Sequence, residues 1–322
     1  MINIPYPSKK ILDDFFEVQK TEILKRIKVI GNQSYIKVKK KKYRVTKYIK
    51  SLLKDFEDES KLKTLILANP NELIQIIKKY ESTQNLKKVR YTKEALHKIL
   101  YRIFVEYGYE KIDKLQFIDN INLGSCPYCN RNYIFTTSKN GSVKPEIDHL
   151  YPKSLYPYLA CSYFNLIPSC PTCNGFGAKE AKDTFYTYPI SNPYTIKPID
   201  FRFSIKLLKI DFIDNDVKNK QYNFDDFEIE VYGNKANLDI FHLEELYKQH
   251  KDIVLELLIK KAYYPQSYID ELSSFGFNQD EIYRYLLCNY VQDEDLHKRP
   301  LSKLIKDISQ ELGLLTKKEI SI

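Results

Sequence analysis

Two short cysteine pairs constrain this chain more than any other feature of its sequence. The pairs are Cys126-Pro127-Tyr128-Cys129 and Cys170-Pro171-Thr172-Cys173, and they hold four of the six cysteines. Zinc binds four thiolates tetrahedrally, and two such knuckles supply two thiolates each. A closed four-thiolate site has no position for water, so the pattern predicts a structural zinc ion. The predicted ligands are Cys126, Cys129, Cys170 and Cys173.

Other interpretations of the cysteines are less favoured. Unrelated pairs could arise by chance, or one pair could be redox-active. The shared Cys-Pro-x-Cys form favours one common metal site, since an intracellular chain with this pattern is more often metal-binding than disulfide-bonded. Cys161 and Cys288 stand alone and are expected to be buried apolar residues.

An Asp-His pair lies between the two knuckles, in the segment Glu146-Ile147-Asp148-His149. Adjacent residues of a strand point to opposite sides, so one of the pair can bind a metal ion while the other faces a water molecule. An Asp-His pair by itself is often accidental. Four of the five histidines lie outside the cysteine bracket and are expected to be ordinary helix or surface residues: His97, His242, His250 and His297.

The order of these motifs resembles the HNH endonucleases, which have a ββα-metal core. The series runs Cys-x-x-Cys, Asp148-His149, Asn165-Leu166 and Cys-x-x-Cys-Asn174, and it covers Ser125 to about Lys179. In that family the Asp-His dipeptide ends the first strand region. The middle Asn lies in the following loop or strand, and the last motif residue opens the helix beside the second knuckle.

The resemblance implies a role for each motif residue. His149 would be the general base that takes a proton from the attacking water, and Asp148 would bind the catalytic divalent ion. Asn165 would brace the active-site loop and the His149 ring. Asn174 would be the second metal ligand, in a position where many members have His, and its amide oxygen suits Mg²⁺ or Mn²⁺.

One position departs from the family pattern. Many relatives place a Lys three residues after the last motif residue, where this chain has Gly177, and Lys179 follows two residues later. The role of Lys179 is therefore open. The implied reaction is hydrolysis of a phosphodiester, which we expect to be in DNA, leaving 5′-phosphate and 3′-hydroxyl ends. A metal ion relieves the charge on the phosphate and on the leaving oxygen, and a neutral imidazole accepts the proton of water near pH 7.

Two further hypotheses concern function. A catalytically inactive, zinc-stabilised nucleic-acid-binding module would keep the cysteines and the lysines but would need none of Asp148, His149 and Asn174, so the presence of all three disfavours it. The second concerns biology: a large standalone chain with the C-terminal motif Pro300-Leu301-Ser302-Lys303-Leu304 resembles the nuclease subunits of bacterial anti-phage systems such as Septu. That resemblance implies an ATPase partner. A restriction or mobile-element nuclease is the alternative.

The net charge of +9 is concentrated in one dense basic run, Lys37 to Lys50, which contains no acid. With Tyr43 and Tyr48 interleaved, the run suits phosphate contact and some base stacking. The alternative is a solvated loop in a chain whose lysine content AT-rich codons can raise. The residues predicted to bind nucleic acid are Lys39, Lys40, Lys41, Lys42 and Arg44.

Patterning along the chain predicts an α+β fold that is predominantly α. We divide it into a helical N-terminal region with the basic segment (1–122), a small nuclease core (123–182) and an α+β region (183–322). An Asn140-Gly141 pair between Arg131–Thr137 and Ser142–Ile147 predicts a hairpin. Predicted helices are Lys10–Ile30, Val45–Phe56, Leu62–Ala68, Asn71–Tyr80, Thr92–Phe104 (capped by Thr92) and Leu243–Tyr263, and predicted strands are Phe201–Ile213 and Phe227–Tyr232.

Membrane insertion is not expected. No stretch approaches the roughly 18 continuous apolar residues that a spanning helix needs. The polar first residues lack the apolar segment of a secretory signal. We therefore expect a soluble, cytoplasmic protein.

Overall fold

The computed structural model describes residues 1–84, 90–137, 144–208, 224–264 and 266–315. It is mostly helical, with three separate antiparallel sheets of two strands each, which confirms the predicted α+β class. The helices are α1 (Lys9–Gly31), α2 (Lys47–Glu57), α3 (Glu59–Ile66), α4 (Pro70–Gln84), α5 (Arg90–Leu100), α6 (Lys114–Ile121), α7 (Pro171–Asn174), α8 (Lys235–Ile240), α9 (Leu243–Tyr247), α10 (Lys251–Tyr263), α11 (Gln266–Ser274), α12 (Gln279–Leu287) and α13 (Ser302–Glu311). The strands are β1 (Tyr35–Val38), β2 (Lys41–Arg44), β3 (Glu146–His149), β4 (Leu166–Ser169), β5 (Arg202–Leu207) and β6 (Phe227–Tyr232).

The N-terminal helices follow their apolar periodicity. In α1, Phe16, Ile23 and Ile27 recur on one face and are buried, and Ser8 caps the helix by accepting a hydrogen bond from the Ile11 amide. Helix α5 begins at Arg90, so the prediction that Thr92 caps it is wrong. A π-helical turn, Tyr101–Glu106, continues α5. The first part of the basic run forms the hairpin β1–β2 rather than an irregular loop, and its last two lysines, Lys47 and Lys50, lie in α2.

The middle of the chain is built on β3 and β4. They pair in antiparallel register, with Glu146 opposite Ser169 and His149 opposite Leu166. The segment expected to pair with β3 makes instead one isolated bridge, Ser125 to Tyr133, among its described residues, and Asn140-Gly141 lies outside them. Strand β4 is buried along its whole length, so pairing with it removes more apolar surface from water than a local hairpin would.

Helix α7 is short, and its position corrects another expectation. Cys170 is its N-cap residue and Asn174 is its last residue, so Asn174 ends the helix beside the second knuckle and does not open it. Pro171 suits the first helical position because its missing amide hydrogen would have no partner there.

The C-terminal region differs from expectation at two points. The predicted long helix Leu243–Tyr263 is divided into α9 and α10 by a 3₁₀ turn at Lys248–His250. Cys288 ends α12 in the left-handed conformation, with φ of 53°, and is exposed, so the prediction of a buried Cys288 is wrong. Cys161 is buried as predicted.

The last helix is anchored on the first cysteine knuckle through Asn130. The Asn130 side-chain oxygen accepts hydrogen bonds from the Ser302 hydroxyl at 3.1 Å and the Lys303 amide at 3.0 Å. Its amide nitrogen donates to Ser125 Oγ at 2.9 Å, and its own carbonyl accepts from the Leu301 amide. The Pro-Leu-Ser-Lys-Leu motif is therefore the segment that joins the C-terminal region to the knuckle.

Helix α13 carries this contact onward to β5. Lys303 and Asp307 form a buried ion pair at 2.6 Å, and the Asp307 carboxylate accepts a hydrogen bond from the Phe203 amide at 3.0 Å. One connected apolar core contains residues from all three predicted regions. None of the helices in the described ranges combines the length and apolar character needed to cross a lipid bilayer.

Candidate active site and metal centre

The four knuckle cysteines converge as their spacing predicts. All are buried, and their sulfur atoms lie within 4.8 Å of one another. The Cys129 and Cys170 sulfurs are 3.9 Å apart, whereas a disulfide needs about 2 Å. Zinc–sulfur bonds of about 2.3 Å in a tetrahedron place the sulfurs roughly 3.8 Å apart. The cluster therefore has the donors and spacing to bind zinc, and it is the one such group of three or more His, Cys, Asp or Glu donors in the described ranges.

Nitrogen donors surround the cluster. The Arg131 amide lies 3.3 Å from Cys129 Sγ, the Asn132 side-chain amide 3.2 Å from Cys170 Sγ, and the Cys170 amide 3.4 Å from Cys126 Sγ. Hydrogen bonds from Cys126, Cys129 and Cys173, together with that from Asn132, lower the pKa of Cys170, whereas burial raises the pKa of Cys126 and the contact with Cys126 raises that of Cys173. Such donors favour thiolates, which are the forms that bind metal.

Asp148 occupies an enclosed position on β3. Its Oδ2 accepts a hydrogen bond from the Tyr128 hydroxyl at 2.6 Å, and its Oδ1 lies 2.8 Å from the Lys179 ammonium. Lys179 also donates to the carbonyl of His149 at 2.6 Å, and its side chain is fully buried. Lys179 thus ties the segment after the second knuckle to the strand that carries the Asp-His pair.

His149 lies on the other side of β3 and is held by a backbone carbonyl. Its Nε2 is 3.1 Å from the oxygen of Ala160. Because a carbonyl oxygen only accepts, Nε2 carries the hydrogen and Nδ1 keeps its lone pair. Burial lowers the pKa of His149 to about 3, and Lys153 contributes to the shift. The imidazole is therefore neutral at pH 7. The ring of Tyr109 packs edge-on against it, with centroids 4.4 Å apart.

Asn165 holds the loop that follows His149. Its side-chain oxygen accepts from the Tyr151 amide at 2.7 Å, and its side-chain nitrogen donates to the carbonyls of Tyr151 at 3.1 Å and Leu159 at 3.0 Å. These bonds close the loop from 151 to 159 and place the next carbonyl, that of Ala160, at the His149 ring. The contact of Asn165 with the ring is therefore indirect.

Asn174 meets β3 at Glu146. Its side-chain nitrogen donates to Glu146 Oε2 at 2.7 Å, which leaves the amide oxygen of Asn174 with an open lone pair. Glu146 lies two residues before Asp148, on the same face of the strand. The oxygens of Glu146, Asn174 and Asp148 are of the kind that Mg²⁺ and Mn²⁺ prefer, but both oxygens of Asp148 already accept hydrogen bonds from protein donors. A divalent ion held by Asp148 would therefore have to share or displace the Tyr128 hydroxyl or the Lys179 ammonium group.

The chain is similar to Septu protein PtuB of Bacillus thuringiensis. The two are 30% identical over 101 residues, which is 31% of this chain and 31% of that protein, so the matched segment spans about a third of the relative. No protein-family model matches the chain, and no solved structure matches it. The similarity agrees with the predicted resemblance to Septu, and the HNH assignment itself stays a prediction.

The basic hairpin presents its charges on one face. Register places Lys37 opposite Lys42 and Tyr35 opposite Arg44, and all four side chains are exposed. Lys39 and Lys40 form the exposed turn, where Lys39 has φ of 52°.

Two members of the run have partners within the protein. Lys41 forms an ion pair with Glu94 at 2.8 Å. Tyr43 is buried and donates to the same carboxylate at 3.1 Å, so it is not available to stack on a base. Tyr48 is half exposed.

Three residues of the site carried no strong signal in the sequence. Tyr128 is marked only by its place inside the first knuckle, and Glu146 by its spacing of two from Asp148. Lys179 is unexpected because lysine is almost never fully buried unless it is paired. The glycines at 175 and 177 are the sequence signal that the backbone turns after the second knuckle. This turn brings Lys179 to Asp148.

Proposed function

We propose that this chain is a metal-dependent HNH-type endonuclease that hydrolyses phosphodiester bonds of DNA as part of a bacterial anti-phage system. The observation that carries the proposal is the arrangement at the end of β3. A neutral His149, oriented by the Ala160 carbonyl, and an anchored carboxylate, Asp148, lie on opposite sides of one short strand. The motif order of the HNH endonucleases gives this arrangement its proposed chemistry.

His149 would act through Nδ1. The attacking water gives its proton to this lone pair, while the Nε2 hydrogen stays on the Ala160 carbonyl and fixes the ring. General-base catalysis of this kind contributes about 10²–10⁴-fold. A base with a pKa near 3 is weak, so approach of a phosphate or loss of burial must raise its basicity, or the water must be acidified by a cation.

Glu146, Asn174 and Asp148 would hold the divalent ion. When bound, Mg²⁺ or Mn²⁺ neutralises charge on the phosphate and on the leaving oxygen. Lys179 would keep Asp148 oriented, because its ammonium group contacts both the Asp148 carboxylate and the His149 carbonyl. The cysteine cluster would hold β4 and α7 against β3, so that this arrangement persists without substrate.

The defence role is proposed from the resemblance to Septu subunits and from the similarity to Septu protein PtuB. The resemblance implies an ATPase as the partner, and we expect a gene for one beside the gene for this chain. Co-purification of the two products tests this directly. A neighbouring methyltransferase gene would favour a restriction enzyme instead.

A catalytically inactive nucleic-acid-binding module is the second candidate. One observation favours it: Asp148 and His149 are only 3% and 6% exposed, so water and metal ion reach them only if neighbouring groups move. Such a protein would bind nucleic acid with equal affinity whether or not His149 is present, and would not cut it.

The deciding experiment is cleavage of supercoiled plasmid, linear duplex and RNA by zinc-loaded protein in Mg²⁺ or Mn²⁺. We expect nicking of DNA that falls about 10²–10⁴-fold in His149→Ala. His97→Ala is the matched control because His97 also contacts a loop carbonyl, that of Ser154, at 2.7 Å. If the wild type binds DNA or RNA but does not cut it, the second candidate, an inactive nucleic-acid-binding module, is favoured.

The metal ligands are tested on the same substrates. Asn174→Ala should lose activity and regain part of it at high Mn²⁺, and Asn174→His should keep activity because many HNH members have His there. Binding of Mn²⁺ to the protein alone, followed by electron paramagnetic resonance, should weaken in Asn174→Ala and in Glu146→Gln. Unchanged Mn²⁺ binding in both variants would remove these residues from the metal site.

A further inference from the structure

Two lysines converge beside His149, on the side of β3 opposite Asp148. Lys114 begins α6, and Lys153 lies in the loop that follows His149. Their ammonium groups are 4.8 Å and 4.4 Å from the centroid of the same Tyr109 ring. That ring is the one packed against the imidazole of His149, 4.4 Å away. The Tyr109 ring thus contacts both the two ammonium groups and the imidazole of the proposed general base.

One carboxylate serves both lysines. Glu110 Oε2 lies 3.1 Å from the Lys114 ammonium, and Glu110 Oε1 lies 3.7 Å from that of Lys153. Two positive charges against one negative charge leave an excess of one cation. The side chains are only 28% and 34% exposed, so water screens the excess less than it would on an open surface.

The unfavourable electrostatics of this arrangement affect the pKa of Lys153. Burial lowers the pKa of Lys153, Lys114 lowers it further, and Glu110 opposes both. Like charges held together in partly buried positions destabilise a fold, and they are typically found where a ligand of opposite charge completes the set.

We propose that Lys114 and Lys153 form a phosphate-binding site that holds the nucleic-acid backbone next to His149. This inference rests on the proposed function and names where the substrate backbone lies. Ammonium groups bind phosphate as point charges, and two of them from different segments can contact different phosphate oxygens. The two lysine side chains are partly exposed, while the Tyr109 ring packs against the buried His149.

An acidic protein segment is the other class of ligand that two cations could take. Phosphate is favoured because the pair adjoins the candidate base, where the substrate has to lie for hydrolysis. Of the lysines in the described ranges, Lys114 and Lys153 are the two whose ammonium groups lie over the Tyr109 ring that contacts His149.

The test measures binding of a fluorescent DNA duplex to zinc-loaded protein in Ca²⁺, so that binding is read without cutting. Variants are Lys114→Ala, Lys153→Ala and the double variant. The matched control is Lys111→Ala, an exposed lysine of the preceding turn. We expect each site variant to weaken binding roughly tenfold near 0.1 M salt and to reduce the slope of log affinity against log salt by about one. Lys111→Ala should change neither.

A variant that should strengthen DNA binding instead of weakening it makes the test more specific. Glu110→Gln removes the competing carboxylate, so it should tighten DNA binding, and this gain should vanish when Lys114 and Lys153 are both Ala. Lys153→Arg should keep the wild-type salt slope. Melting temperatures of all variants should stay close to that of the wild type, since these side chains are partly exposed.

Three outcomes overturn the inference. An unchanged slope in the double variant of a protein that binds DNA removes the site but leaves the proposed nuclease intact. Weaker binding in Glu110→Gln would mean that the carboxylate, rather than phosphate, is the intended partner of the lysines. Retained DNA affinity with lost binding to a poly-glutamate peptide would assign the pair to a protein partner. A wild type that binds neither DNA nor RNA would instead refute the proposed function.

Discussion

The hydroxyl of Tyr128 donates a 2.6 Å hydrogen bond to the carboxylate of Asp148. Tyr128 lies between Cys126 and Cys129, and its ring stacks on that of Phe241 with centroids 4.5 Å apart. A knuckle residue therefore holds a candidate catalytic residue directly. Any displacement of the cysteine cluster would reach Asp148 through a single side chain.

Removing that hydroxyl tests the link. Tyr128→Phe keeps the stacked ring but leaves one buried carboxylate oxygen without this donor, so we expect the free energy of unfolding to fall by about 1–3 kcal/mol. Zinc content should not change, and nicking should weaken. The control is Tyr163→Phe, because the buried hydroxyl of Tyr163 has no hydrogen-bond partner among the described residues. Urea unfolding of both variants makes the comparison, and equal effects would contradict a special role for Tyr128.

Metal removal should unfold the middle of the chain. The short strands β3 and β4 and the four-residue α7 have few backbone hydrogen bonds of their own, so metal affinity would supply much of their stability. We expect about one zinc per chain, and insoluble or protease-sensitive protein from Cys170→Ser. Cys288→Ser, at an exposed cysteine, should behave as the wild type. A stable, metal-free Cys170→Ser protein would contradict the structural zinc.

Loss of the loop brace should cost stability as well as activity. Asn165→Ala removes the hydrogen bonds to the buried amide and carbonyl of Tyr151, whereas the Leu159 carbonyl keeps its bond from the Ser162 amide, and we expect destabilisation of roughly 3 kcal/mol. Hydrogen exchange should accelerate between residues 151 and 159. Asn174→Ala removes a partly exposed amide and should reduce cleavage with little change in unfolding. The reverse pattern, with Asn174→Ala the less stable variant, would make Asn174 a structural residue.

Acid should weaken the anchor of the C-terminal region at the knuckle. Burial and Lys298 lower the pKa of His297. Its Nδ1 is buried and has no hydrogen-bond partner in the part of the chain that the structure describes, and its carbonyl accepts from Ser125 Oγ at 3.0 Å. The unfolded chain therefore binds the proton more tightly, and stability falls as pH drops below the ordinary histidine pKa of about 6.5.

The variant His297→Phe removes the imidazole that takes up this proton. We expect it to lose less stability than the wild type between about pH 7.5 and pH 5.5, as measured by urea unfolding. Above about pH 7.5 the two proteins should show the same pH dependence, because the imidazole is neutral in both states. Parallel curves across the acid range would mean that His297 does not contribute.

The basic hairpin should add salt-dependent affinity for nucleic acid. Replacing Lys39, Lys40 and Lys42 with Ala should lower the slope of log affinity against log salt by at most about one per residue. The reason is that binding releases fewer counterions for each phosphate contact that is lost. Lys41→Ala should change it less, since Lys41 already pairs with Glu94. The measurement is duplex binding against salt concentration. If Lys41 had the largest effect, the ion pair would have to open on binding.

Local spacing predicted the metal cluster and the Asp-His strand well. A Cys-x-x-Cys knuckle is fixed by four neighbouring residues, and the cluster requires only that two such knuckles meet. The helices of the first hundred residues also follow their apolar periodicity, because most are amphipathic and pack one face inward.

Contacts between residues far apart in the chain could not be predicted from local spacing in the same way. The Asn-Gly pair indicated a local hairpin, but β3 pairs with β4, whose advantage is burial that depends on the whole core. The burial of Lys179 depends on meeting Asp148, which lies 31 residues earlier. The exposed Cys288 follows from a left-handed helix end that a lone cysteine does not signal.

The contacts of Asn130 with Ser302 and Lys303 also set an order of events during synthesis. These partners are separated by 172 and 173 residues. A chain emerging from the ribosome can close its two knuckles around a metal ion long before Ser302 is made, but until then Asn130 lacks the partners that pin the knuckle loop. Such distant contacts form late in folding. A nascent or prematurely terminated chain would thus hold the knuckle loop loosely until Ser302 and Lys303 have been made.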